Sequence, residues 1–182
     1  TKEAKMKTRR IMLISVVLSL VLMLNAVLPV SAEATRQEVS AIESSCSNGW
    51  EEMWMEGQAM HIRNFIHTNR LVSADDELNG INTTIADGQI NLLNGDGLIK
   101  GRFSLKPDTI NGTWEGTWLS ISTKGLNRAW AVGQGKGELS GKTLFLDIIG
   151  DPTNLNSSLC GVLGAWDGNY TDVGYILEND KS

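Results

Sequence analysis

The chain holds two histidines, His61 and His67, two cysteines, Cys46 and Cys160, and a scatter of carboxylates. Spacing limits what these can do. The histidines lie six apart in one extended run, which predicts a shared face and a separation of about 20 Å along a strand. Imidazoles so placed do not share a metal ion. No CxxC pair or twelve-residue calcium loop occurs, so neither a metal nor a cofactor is expected. One histidine beside a carboxylate can still serve as acid or base. Asp147 interrupts the apolar run "LFLDII", where burial would raise its pKa; the alternative is an outward aspartate on a two-faced strand. Glu115 stands between Trp114 and Trp118 and points to the opposite face from theirs. These three groups, His61, Asp147 and Glu115, are acid–base candidates only if they face an interior. No catalytic residue is assigned.

"GELSGKT" (137–143) brings Gly-Lys-Thr after a glycine, as in a phosphate loop. The spacing is one residue short, and a strand-like "LFLDI" follows where such a loop must open a helix. Ser140-Gly141 is a hairpin turn on this reading. "GQGKGE" (133–138) lacks the third glycine and the βαβ setting of a dinucleotide site.

Six tryptophans are the other resource. Such rings fill small β cores, and they also line apolar pockets or stack on sugars. Trp114, Trp118, Trp130 and Trp166 are the candidates for ligand contact. "GTWEGTW" (112–118) precedes a glycine-alternating run, with Gly125-Leu126 between them as a two-residue type II′ turn. That turn pairs Trp118 with Gly133, Gly116 with Gly135 and Trp114 with Gly137. Each tryptophan would then cover a glycine, an arrangement that also lets a barrel strand bend.

The elements that must position these residues read as strands. Glycine recurs between short apolar runs, and no useful amphipathic helix follows residue 57. Strands are expected at 56–69, 80–93, 97–106, 112–122, 127–139, 142–149 and 161–171, with an eighth at 173–178. Short turns join most of them, "NGDG" (94–97) being the clearest. The fold class is all-β, a single antiparallel meander closing into a small barrel of seven or eight strands, with an irregular N-terminal lead-in. A two-sheet sandwich is the alternative. The expected organisation is a signal peptide with upstream residues over 1–32, a polar lead-in over 33–53 and the barrel domain over 54–182.

"MKTRR", a long apolar run and small residues at Val30 and Ala32 form a secretory signal cleaved after Ala32; an uncleaved anchor is the other reading. "TKEAK" before Met6 reads as upstream sequence. Removal of 1–32 leaves 11 basic and 20 acidic residues. Such acidity disfavours nucleic acid and anionic membrane as partners. The protein is expected to be secreted, extracellular or periplasmic. In an oxidising compartment Cys46 and Cys160 would pair, and closing so long a loop contributes on the order of 4 kcal/mol. Asn82, Asn111, Asn156 and Asn169 carry the Asn-x-Ser/Thr pattern that some hosts glycosylate.

"HIRNFIHTNRLVSADDELNGINTTI", "GTWEGTW" and "GQGKGELSGKTLFLDIIGDP" together resemble a family of uncharacterised exported bacterial and archaeal β-rich proteins, over roughly residues 54–170. The likeness implies shared architecture and carries no catalytic residues. At fold level the glycine-patterned meander is also similar to allene oxide cyclase and dirigent-like barrels, which implies a central cavity for an apolar ligand. Three readings follow. The first is a secreted barrel binding an apolar or amphipathic small molecule. The second is a cofactor-free cyclase, isomerase or dirigent-like enzyme. The third is a structural or adhesive envelope module with a solid interior. Oligomeric state is not legible.

Overall fold

The computed structural model describes residues 34–124, 126–151 and 168–178. The signal segment, Cys160, Trp166, Asn156 and the expected strand over 161–167 lie outside them. The described chain forms nine strands: β1 (Thr35–Gly49), β2 (Glu52–Glu56), β3 (Ala59–Val72), β4 (Gly80–Asn91), β5 (Gly97–Pro107), β6 (Gly112–Thr123), β7 (Leu126–Gly137), β8 (Lys142–Asp151) and β9 (Gly168–Glu178). All pair antiparallel, and from β2 to β9 each lies beside its sequence neighbour. β1 pairs with β9 along one edge and with β3 along the other, closing a ring of eight. The fold is an all-β antiparallel meander closed into a barrel, not a sandwich. β2 stays outside the ring, against Ala59–Arg63, below the point where β1 leaves β3.

Alternation makes the wall. On β4, Gly80, Asn82, Thr84 and Ala86 are buried while Ile81, Thr83, Ile85 and Asp87 are exposed. The same two-residue period runs along β6 and β7. β1 corrects the expectation of a lead-in over 33–53. Its inward face begins with Val39 and Ala41 but continues with Glu43 and Ser45, all buried. A strand whose inner face turns polar halfway shows no apolar period, so it reads as irregular.

Two registers also differ from expectation. β3 carries one extra residue against β4 between Ile62 and Phe65, where Asn64 takes φ 48° and its N–H donates to the Asp87 carboxylate at 2.9 Å. This bulge reverses the strand's phase. His67 therefore faces the interior while His61 faces the other side, stacked on Trp54 with ring centroids 4.9 Å apart. In the β6–β7 hairpin Thr123 pairs with Leu126 and Lys124 takes φ 53°, so the turn begins one residue earlier than Gly125-Leu126. Each β6 residue consequently meets a β7 partner two residues earlier, with faces preserved. Trp114 faces Gly135, Gly116 faces Gly133, and Trp118 faces Ala131. Trp118 covers a glycine on its other side: Gly101 of β5, where an added Cβ would lie 2.8 Å from its Nε1. The ring over Gly116 and Gly133 is that of Phe103; a Cβ at Gly116 would come within 2.0 Å of the Val132 carbonyl and 2.7 Å of that ring.

One end of the barrel is a packed apolar plug. Trp114 is fully buried and its indole N–H donates to the Glu77 carbonyl at 2.8 Å. Leu78 from the β3–β4 loop and Leu139 from the β7–β8 turn fold in over it, beside Leu105, Leu144 and Ile176. "GELSGKT" is thus a hairpin turn whose leucine closes the core and whose Lys142 pairs with Glu77. Burial alone would lower the Lys142 pKa, but pairing with Glu77 and Glu178 outweighs it and holds the ammonium above its usual value. Trp114→Ala is expected to cost about 3–5 kcal/mol in denaturant unfolding. Trp130→Ala, on the outer wall, is expected to cost about 1 kcal/mol.

Candidate functional site

Beyond the plug, toward the end where β6 turns into β7, the interior contains a cavity of about 100 Å³. Its apolar lining includes Phe65, Phe103, Trp118, Leu146 and Ile148. Most of its polar lining comes from four neighbouring staves, Glu43 and Ser45 of β1, His67 and Asn69 of β3, Asn82 and Thr84 of β4 and Tyr170 of β9, with Ser120 of β6 and Asn127 of β7 completing it. No lysine or arginine lines it among the described residues.

The unusual element is a pair of acids. Ala41 pairs with Asp172 and Glu43 with Tyr170, so the inward Glu43 and Asp172 are diagonal neighbours on adjoining strands. Glu43 is 6% exposed and Asp172 fully buried, with Ile148 beside it on β8. Burial pushes the Asp172 carboxyl up to about 7, the nearby Glu43 carboxyl partly opposing the rise. Burial, and then the Asp172 charge, raise Glu43 well above the usual carboxylate range. The two carboxyls interact without a well-aligned hydrogen bond, and neither Asp172 oxygen meets a properly oriented donor. The pair therefore holds its protons to higher pH than solvated carboxyls do.

Beside the acids, Ser45 Oγ donates to Asn69 Oδ1 at 2.7 Å and lies 3.0 Å from His67 Nδ1. A hydroxyl has one proton, so the imidazole Nδ1–H must donate to Ser45. Ser45 and His67 look like a nucleophile and its base, but the hydrogen bonds run the wrong way: the serine proton points at the asparagine, not at the ring. The trio is an orienting network across β1 and β3. Two further groups end in the interior without partners, Asn82 Oδ1 and Trp118 Nε1.

The residues singled out from sequence separate. Trp118 lines the cavity, whereas Trp114 belongs to the plug. Trp130 is 41% exposed in a shallow outer groove of about 590 Å³, with Arg128 over its ring. Trp166 lies outside the described residues. Asp147 and Glu115 are also outside the barrel wall: Arg128 Nε donates to Asp147 Oδ1 at 2.9 Å, and Lys136 pairs with Glu115. The Arg128 hydrogen bonds hold Asp147 below the usual carboxylate range, the reverse of the burial effect considered for it. His61 Nε2 sits 3.4 Å from Glu56 on its outer face. None of the three acid–base candidates faces the cavity. Cys46 is half-buried on β1 opposite Thr68; its expected partner Cys160 is not among the described residues. Asn82, one of the four Asn-x-Ser/Thr sites, points inward and is closed to a glycan.

Sequence reasoning missed Glu43, Asp172, Ser45, Asn69 and Asn82. A signal existed in "VSAIES": Val39 and Ala41 share a period-two face with Glu43. "YTDVGYI" sets Asp172 in phase with Ile176. No family model, curated protein or solved structure matches the chain.

The acid pair sets a pH dependence. An acid whose folded pKa exceeds its unfolded value binds more protons in the native state, so stability falls as pH rises between the two values. For Asp172 that window runs from 3.8 to about 7, with a slope of at most about 1.4 kcal/mol per pH unit per proton. Asp108 and Asp147, held low by hydrogen bonds from Arg70 and Arg128, oppose this only as pH falls below their ordinary range. Denaturant unfolding from pH 4.5 to 7.5 should therefore show declining stability, and Asp172→Asn should flatten the decline. A wild-type curve that rises over this range would contradict the burial of the pair.

Proposed function

We propose that the barrel binds a small amphipathic molecule in its interior cavity and that the protein is exported, with Cys46 and Cys160 bridged. The observation that carries this reading is the division of the lining. Aromatic and aliphatic side chains meet polar groups whose hydrogen-bonding capacity the protein leaves partly unused, Asn82 Oδ1 and Trp118 Nε1 among them. Unpaired buried polar atoms cost about 1–3 kcal/mol each, and a ligand or ordered water recovers that cost. A cavity of about 100 Å³ admits a compact molecule rather than a long lipid. The likeness to exported β-rich proteins and to allene oxide cyclase and dirigent-like barrels supports the same reading through the quoted motifs and the closed meander.

A second reading is a cofactor-free cyclase or isomerase, favoured by one observation: Glu43 lines the cavity with Asp172 directly behind it, and a buried carboxyl pair whose pKa values are raised is suited to proton transfer. Ser45 and His67 would position the acids' surroundings rather than attack substrate.

The binding reading is tested by tryptophan emission against a panel of small amphipathic compounds. A saturable shift is expected, and it should vanish in Ala131→Leu, which fills the cavity from β7 and keeps the β signal in circular dichroism. A panel without any saturable shift, or a shift that survives cavity filling, would reject it.

A further inference from the structure

We propose that the cavity selects a small organic cation, a compact primary or methylated amine whose ammonium sits among Glu43, Asp172 and Asn82. This deepens the binding reading and rests on it. The lining is unbalanced in sign. Two acids stand on its β1–β9 side, Glu43 at the surface of the cavity and Asp172 behind it. Lysine and arginine are missing from the lining among the described residues, so the protein brings no cation to offset them. Two staves along from β1, Asn82 of β4, 9% exposed, turns in a carbonyl oxygen that accepts from nothing. Its neighbour across the β3–β4 pairing, Asn69, has its own oxygen occupied by Ser45.

Two acids and an unpaired amide oxygen, with no lysine or arginine among them, describe the complement of a positively charged group that carries donors. An ammonium offers up to three donors, and its charge is stabilised by the ionised member of the pair. A buried carboxylate without a partner is costly, and a cation that desolvates with it offsets that cost. Phe65, Phe103 and Trp118 line the cavity with aliphatic side chains, and aromatic rings favour cations as well as apolar carbon. Volume sets the size: a cavity of about 100 Å³ is smaller than the 150 Å³ engineered cavity that takes benzene, so a short alkyl group fits and a long chain does not. Other occupants fit less well. A carboxylate ligand meets like charge. A metal ion lacks its ligand set, as no group of three or more His, Cys, Asp or Glu suited to metal occurs among the described residues. Water alone would satisfy the hydrogen bonds but leave the charge.

The test compares three probes that differ only at the head group: n-butylammonium, n-butanol and n-butyrate, titrated calorimetrically into the full chain at pH 7.5 and fixed ionic strength. Butylammonium should bind at least tenfold more tightly than butanol, and butyrate should not bind. Asp172→Asn should reduce the preference for butylammonium over butanol at least tenfold. Asn82→Leu serves as a second variant with the same expected direction of selectivity loss if Asp172→Asn fails to fold. Equal affinity for butylammonium and butanol would overturn the cation assignment and leave the binding reading standing, as would preferential binding of butyrate. No binding of any probe would overturn both.

Discussion

The pairing of β1 with β3 on one side and β9 on the other is the constraint on which the rest depends. Without it the sheet has two open edges and no interior. With it, each residue on one phase of eight strands is committed to a shared enclosed space, whatever its polarity. Val39 and Ala41 enter that space as ordinary core. Glu43 and Ser45 enter it because the strand's period leaves them no choice short of a bulge. β3 does use such a bulge, at Asn64, and the consequence is that His67 and not His61 reaches the cavity.

The interior is divided accordingly. One end is dense and apolar, built on Trp114 and closed by leucines from two loops, and this is where burial stabilises the fold. The other end carries polar side chains and an acid pair, which cost stability. A chain folding only for stability would place Leu or Val at 43, 82 and 172, on faces where its neighbours already have them. A costly constellation in one contiguous region beside a void is what the proposed binding role requires.

How much of this was legible in the sequence follows from where the side chains point. The meander, the strand bounds from β4 to β8 and the hairpin nature of "GELSGKT" were readable, because glycine turns and two-residue alternation are local signals. The site was not. Glu43 and Asp172 lie far apart in sequence and meet only because the first and last strands of the ring are adjacent, a fact that no local pattern carries. A buried acid also looks like an exposed one when its strand has polar residues on both faces. That is why Asp147, conspicuous in an apolar run, drew notice and proved to be an outward ion-pair partner. The expectation that Trp118 covers a glycine holds, although the glycine is Gly101 of β5 and not Gly133, a register that the local turn pattern did not carry.

The site depends on two carboxyls being buried side by side in a closed barrel. The direct measurement is the side-chain carboxyl carbon titration of Glu43 and Asp172 by NMR, with Glu43→Gln and Asp172→Asn providing assignments. The Asp172 resonance should titrate near 7, with Glu43 still protonated well above the ordinary carboxylate range. Both carboxyls titrating near 4, as solvated side chains do, would mean that β1 does not close the ring as described, and the site would fall with it.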